Sequence, residues 1–199
     1  MSNFQLPQTD FYFHEDGAMW TQTSKELLLG KRSVIFTVPG AFACNCKPGC
    51  DCGQGCCALC DYEKAYDSII AQGVDQVFCL SVNDDHVMRA WGKHLGISKV
   101  KLLPDGNGTF TQGAKAVVAK ENMGMGLRAW RVALIVNENG VVESCVMEDG
   151  QRANATEDDY EDTKPSVVLE QLQILNANNQ QAEASDADME LMLDALAQG

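Results

Sequence analysis

Ser33-Val34-Ile35-Phe36-Thr37-Val38-Pro39-Gly40 is the stretch that decides the fold of this chain. It is an almost unbroken apolar run, rich in β-branched and aromatic side chains, that stops at a Pro-Gly pair. A strand covered on both faces reads this way, because it has no solvent side on which polar residues could alternate. The pair that ends it must turn, since proline has no amide hydrogen for a sheet ladder.

Downstream, Leu59, Tyr62, Tyr66, Ile69 and Ile70 recur at helical spacing, with Gly73 where a helix C-terminus belongs. Gln76 to Val82 reads as a second buried strand. Asn83-Asp84-Asp85 then offers N-caps for a helix carrying Val87, Met88, Trp91 and Leu95. A shorter strand, Val100 to Leu103, closes at the turn Pro104-Asp105-Gly106-Asn107-Gly108, and a helix or loop spans 110–120. Arg131–Val136 and Val141–Met147, joined by Asn137-Glu138-Asn139-Gly140, form the clearest hairpin. Strand–helix–strand units need parallel pairing, and the hairpin adds antiparallel edge strands. The expected fold class is α/β, a mixed central sheet with helices on both faces.

Upstream, Phe11, Tyr12 and Phe13 precede a turn at Glu15-Asp16-Gly17. A short helix follows, capped by Thr23 or Ser24 and stopped at Gly30. Toward the C-terminus, Pro165–Leu175 reads as a helix with proline in its first turn. Asn176–Gln181 is rich in helix breakers, and Ser185-Asp186-Ala187-Asp188 caps a further amphipathic segment, Met189–Leu196. The expected organisation is one domain over 1–175 and an acidic tail or helix over 176–199.

The 199 residues carry a net charge of −13, a pI near 4.5 and 45% hydrophobic residues. A core is therefore within reach, while nucleic-acid or anionic-membrane binding is disfavoured for want of clustered Lys and Arg. The acid collects at 157–162 and 183–194, both read as solvated surface. Met1-Ser2-Asn3-Phe4 opens without a basic region, no long apolar stretch follows, and nothing reaches a membrane span of about 20 apolar residues. A cytosolic, reducing compartment is expected, where clustered cysteines point to redox or metal chemistry rather than a disulfide framework.

Such a cluster is present. Cys44, Cys46, Cys50, Cys52, Cys56, Cys57 and Cys60 are seven of the nine cysteines, interleaved with Gly49, Gly53 and Gly55. C-x-C pairs joined by glycine turns let thiolates converge, and soft thiolates select zinc, Cu(I) or iron–sulfur centres. Three readings stay open: metal or cluster binding, thiol–disulfide chemistry without metal, and a surface loop of labile thiols. The cluster follows the buried strand at a strand-to-helix turn, where the positive end of the helix dipole lowers a thiol pKa. Cys79, within Val77-Phe78-Cys79-Leu80, reads as a small buried apolar residue, and Trp91 and Trp130 as core.

Pro39-Gly40-Ala41-Phe42-Ala43-Cys44-Asn45-Cys46 resembles the peroxiredoxin active-site motif P-x-x-x-T/S-x-x-C, closest to the peroxiredoxin-five and bacterial hybrid peroxiredoxin–glutaredoxin branch. Gly73-Val74-Asp75, Leu80-Ser81-Val82-Asn83-Asp84, Leu103-Pro104-Asp105-Gly106-Asn107-Gly108 and Trp130-Arg131 also resemble blocks of that family, in order, over roughly 6–150, with Ser185-Asp186-Ala187-Asp188 a displaced match. The resemblance implies a thioredoxin-like fold and a thiol peroxidase acting on hydrogen peroxide or alkyl hydroperoxides. It makes Cys46 the peroxidatic thiol, Pro39 its shield and Arg131 the residue that holds the thiolate and orients peroxide. Read without that context, Arg131 is a surface charge at a strand end. The family's hydroxyl residue falls at Ala43 and its following proline at Cys44, and the loop from Cys46 to Leu59 is longer than the family's. No cysteine follows Cys145, so resolution falls to Cys50, Cys52, or an external glutathione, glutaredoxin or thioredoxin. The resemblance also allows a homodimer. The alternative is a metal-binding or metal-sensing protein on the same scaffold, with zinc or Cu(I) held by the seven clustered cysteines and little peroxidase activity.

Overall fold

The structure, a computed structural model, describes residues 4–43, 58–154 and 159–197. In chain order it has β1 (Phe4–Gln5), β2 (Asp10–Glu15), β3 (Ala18–Thr23), α1 (Ser24–Leu28), β4 (Ser33–Thr37) and α2 (Ala58–Ile70). Then come β5 (Gln76–Ser81), α3 (Asp85–Leu95), β6 (Lys101–Pro104), α4 (Thr109–Gly113), β7 (Val117–Ala119) and β8 (Leu127–Ala129). β9 (Val132–Val136), β10 (Val141–Met147) and α5 (Pro165–Ala197) complete it.

Six strands form one sheet in the order β1-β10-β9-β4-β5-β6. β4, β5 and β6 run parallel, and β9 joins β4 antiparallel, so the sheet is mixed as expected. All five residues of β4 are buried, as are all of β5 and β9. The hairpin departs from the expectation of edge strands. β9 lies inside the sheet against β4, and the flank beyond β10 is closed by the two-residue β1. A strand at the centre and one at an edge differ by what lies beside them, which their own residues do not encode.

Both faces of the sheet are covered. On one, Val34, Phe36, Cys79, Ala133 and Ile135 meet Tyr62 and Ile69 of α2, Met88 and Trp91 of α3, and Val168 and Leu172 of α5. On the other, Ile35, Phe78, Leu80 and Leu134 meet Phe11 of β2, Leu28 of α1 and Phe110 of α4. This alternation along β4 follows from the two-residue period of a strand.

Local signals act where the sequence placed them. Asp16 and Gly17 take positive φ in the β2–β3 turn, the geometry a two-residue hairpin needs. Thr23 caps α1 in a full capping box with Glu26, and Asp84 caps α3 through the Val87 amide. One expectation is met in part, and one fails. The 110–120 region holds the short helix α4 and the start of a small β7–β8 ladder, each strand too brief to show a period. The C-terminal region is one 33-residue helix, α5, with no interruption at Asn176–Gln181 and no second start at Ser185. Asn176 explains part of that continuity. Its side chain accepts from Arg32 at 2.7 Å and donates to the Gln72 carbonyl at 3.0 Å, so it serves as a tertiary contact.

Candidate active site

The Pro39-Gly40 turn leaves the sheet at the C-terminal ends of the parallel strands, where open α/β sheets place their sites. Val38 still donates to the Leu80 carbonyl of β5 at 3.0 Å. Pro39 and Gly40 are buried, and the Ala41 amide donates to Asn83 Oδ1 at 2.9 Å. Ser81 Oγ donates to the same oxygen at 2.8 Å. Asn83, expected as a helix cap, thus fastens the loop while Asp84 does the capping. A Cβ on Gly40 would come 3.2 Å from Met125 Cε, so glycine is what lets Met125 lie against the turn. Arg128 donates to the Val82 carbonyl and the Met125 carbonyl, both at 2.8 Å, and ties the β7–β8 segment to the same corner. Phe42 takes a positive φ and is half exposed, its ring 5.8 Å from that of His94.

Cys44, Cys46, Cys50, Cys52, Cys56 and Cys57 lie outside the described residues. Cys60 lies within them, buried in the first turn of α2 beside Ala58 and Leu59. Directly behind it Tyr62 stacks on Phe36 of β4 at 3.7 Å and donates to the Thr163 carbonyl at 2.8 Å. Among the described residues no three His, Cys, Asp or Glu side chains converge as metal ligands.

Arg131 immediately precedes β9 and is 9% exposed, which replaces the bland reading of a strand-end surface charge. Its guanidinium lies 5.3 Å from the centre of the Tyr160 ring. Its Nε is buried and has no hydrogen-bond partner among the described residues. A buried guanidinium donor without an acceptor is costly, and an anion or a polar ligand at that point would satisfy it. Its carbonyl accepts from the Glu148 amide at 3.1 Å. Thr37, at the end of β4, donates its hydroxyl to the Trp130 carbonyl and accepts from the Val132 amide at 2.9 Å, so it brackets Arg131 from below.

The wall above Arg131 is the turn after β10. The Glu148 carboxylate accepts from the amides of Glu161, Asp162 and Thr163 at 2.7–3.1 Å, and from Thr163 Oγ1 at 2.7 Å. Burial works against the charged carboxylate, but these bonds outweigh it and hold its pKa below the usual range. Tyr160, 5% exposed, falls in the 157–162 run that composition marks as solvated surface. Burial pushes its phenol up, with Tyr62 and Asp61 adding to the shift and Arg131 opposing it. Sequence reading missed Tyr160, Thr37 and Arg128. Their signal is tertiary, although an aromatic amid five acids was a visible anomaly.

Cys79 is fully buried on β5, as read from sequence, and Trp91 and Trp130 are core. Burial pushes the Cys79 thiol far up, and the nearby Arg131 charge only partly offsets it. Cys145, half-buried on β10, is shifted up by burial as well.

A thioredoxin-like α/β sheet with a Pro-Gly turn, a helix start and a buried arginine at one corner defines a class of thiol enzymes. Residues 7–163 match the family model described as Redoxin. The chain is 44% identical over 151 residues to "Peroxiredoxin y4vD" of Sinorhizobium fredii, covering 76% of each. It is 32% identical to "Hybrid peroxiredoxin hyPrx5" of Haemophilus influenzae over 87% of this chain and 68% of that one. Among solved structures, reduced Prx3 of Vibrio vulnificus in complex with hydrogen peroxide matches with a TM-score of 0.71 and 29% identity, over 87% of this chain and 96% of that one. The chain belongs to the peroxiredoxin family, and it is a thiol-dependent peroxidase. The alternative of a metal-sensing scaffold with little activity is not favoured.

Proposed function

We propose that Cys46 is the peroxidatic thiol, that Arg131 holds its thiolate and the bound peroxide, and that Pro39 shields the pair from water. The observation that carries this is the buried Arg131 Nε, without a hydrogen-bond partner among the described residues, beside the turn that leads into Cys46. The Cys46 thiolate attacks one peroxide oxygen. An S–O bond forms, the O–O bond breaks, and the departing oxygen takes a proton and leaves as water or an alcohol. A guanidinium at that point stabilises the thiolate before attack and the charge that moves onto the departing oxygen during it. Ala43, where the family has a hydroxyl, removes one donor, which leaves Arg131 a larger share of the stabilisation.

The sulfenic acid is reduced by two thiols in succession, giving water and a disulfide. Cys50 or Cys52 supplies the first thiol from within the cluster, or glutathione, glutaredoxin or thioredoxin supplies it from outside. Cys79 is excluded by its burial. No helix among the described residues is long and apolar enough to cross a membrane. The thiol chemistry suits a reducing, cytosolic compartment, and a homodimer is the assembly we propose. The seven clustered cysteines also offer a thiolate set suited to zinc or Cu(I), a state that would occupy the Cys46 thiolate and so alternate with the peroxidase chemistry.

Reduced protein and a Cys46→Ser variant, each mixed with equimolar hydrogen peroxide, test the central assignment. The variant is expected to consume peroxide at least about 100-fold more slowly, as loss of a nucleophile demands. Equal rates would remove Cys46 from the role. Elemental analysis of the same reduced preparations tests the metal: stoichiometric zinc or copper supports it, and protein without either removes it.

A further inference from the structure

The β4–β9 register pairs Ser33 with Val136 and ends at Phe36 with Ala133. Continued by two residues it sets Val38 opposite Arg131. Val38 turns its amide away, to Leu80 of β5, so the amides at 37 and 39 face β9. In an antiparallel ladder the amide of residue 39 would then meet the Trp130 carbonyl. Residue 39 is the motif proline and has no amide hydrogen. The reactive turn therefore breaks the ladder directly beside Arg131.

The Thr37 hydroxyl fills that gap. It donates to the Trp130 carbonyl and accepts from the Val132 amide at 2.9 Å, with the Val132 carbonyl a longer contact at 3.3 Å. Thr37 is 4% exposed, so water is a poor substitute. The two groups it holds are the backbone atoms on either side of Arg131. We propose that Thr37 is a positioning residue for Arg131: its side-chain hydroxyl supplies to the Trp130 carbonyl the donor that Pro39 cannot, and holds the Val132 amide as well. This rests on the role of Arg131 given above.

Valine keeps the shape of threonine and removes the hydroxyl. It leaves a buried carbonyl without a donor and a buried amide without an acceptor, and the strand end must shift to re-pair them. The guanidinium moves with it, away from the point where thiolate and peroxide meet.

The test is single-turnover oxidation of the reduced full-length chain by hydrogen peroxide. Thr37→Val is expected to slow oxidation by about tenfold or more, because small misplacements of a reacting group have large rate effects. Thr37→Ser, which restores the hydroxyl, is expected to recover a rate within about threefold of wild type. Should Thr37→Val fail to fold by circular dichroism, Thr37→Ala makes the same comparison with Thr37→Ser. On an Arg131→Lys background, Thr37→Val is expected to add little, since residues acting through one group are not additive. Wild-type kinetics in Thr37→Val, no recovery in Thr37→Ser, or full additivity with Arg131→Lys would each overturn the proposal. A wild-type rate in Arg131→Lys alone would instead overturn the reading of Arg131, and this inference with it.

Discussion

Burial decides the chemistry of Cys79. Cys79 lies on a central strand with no exposed surface, and burial pushes its thiol up against the pull of Arg131. Thiolate is the reactive form, so Cys79 is inert in the folded protein. Iodoacetamide at pH 8 is expected to leave Cys79 unmodified in native protein and to label it fully in urea, as peptide mass spectrometry would show. Native labelling at the rate of an exposed cysteine would contradict the burial. That inertness was legible in the sequence, because Val77-Phe78-Cys79-Leu80 leaves no polar neighbour to create a reactive environment. The weight of Arg131 was not. An arginine at a strand end is ordinarily solvated, and Tyr160, arriving from 29 residues on, helps enclose it.

At the scale of elements, carboxylates take the place of caps and turns. Glu148 gathers the amides of the 161–163 turn, and Glu63 of α2 gathers those of Ser98, Lys99 and Val100 ahead of β6. For both, burial opposes the charge and the hydrogen bonds prevail, so the folded-state pKa lies below the unfolded one. Such a group adds stability at pH values above the ordinary carboxylate pKa, and that stability is lost as pH falls through the lower, folded value. Glu148→Gln is expected to cost about 1–3 kcal/mol at pH 7, the scale for disrupted buried hydrogen bonds. The variant should lose less stability than wild type between pH 7 and about pH 3, with Glu63 supplying part of the dependence that remains. Urea unfolding at the two pH values measures both, and an unchanged slope with pH would show that Glu148 carries no linkage. The helix and turn signals were readable here, since Thr23, Asp84 and Gly17 act within a few residues of themselves. The long-range carboxylates were not, because their partners lie 13–15 or 35–37 residues away.

For the whole molecule, α5 divides by what it touches. Val168 and Leu172 are buried in the core under α2, and Asn176 bonds to Arg32 and Gln72. From Ala177 to Ala182 the side chains are exposed. Truncation after Ala177 is expected to leave the melting temperature within about 3 °C of the full chain, a shift below 1 kcal/mol for a domain of this size. A larger fall in a thermal scan would show that the distal helix contributes to the fold. By itself the sequence determined the strand–helix order, the buried strand 33–38, the Pro-Gly turn and the redoxin character, since periodicity, caps and a short motif act over neighbouring residues. Tertiary structure alone decided that β9 lies inside the sheet, that α5 runs unbroken past Asn176, and that Thr37 and Tyr160 converge on Arg131. The first and the last depend on surfaces supplied from far along the chain, whose burial sets the strand's neighbours and encloses a charge, and the second on the Asn176 bonds to Arg32 and Gln72.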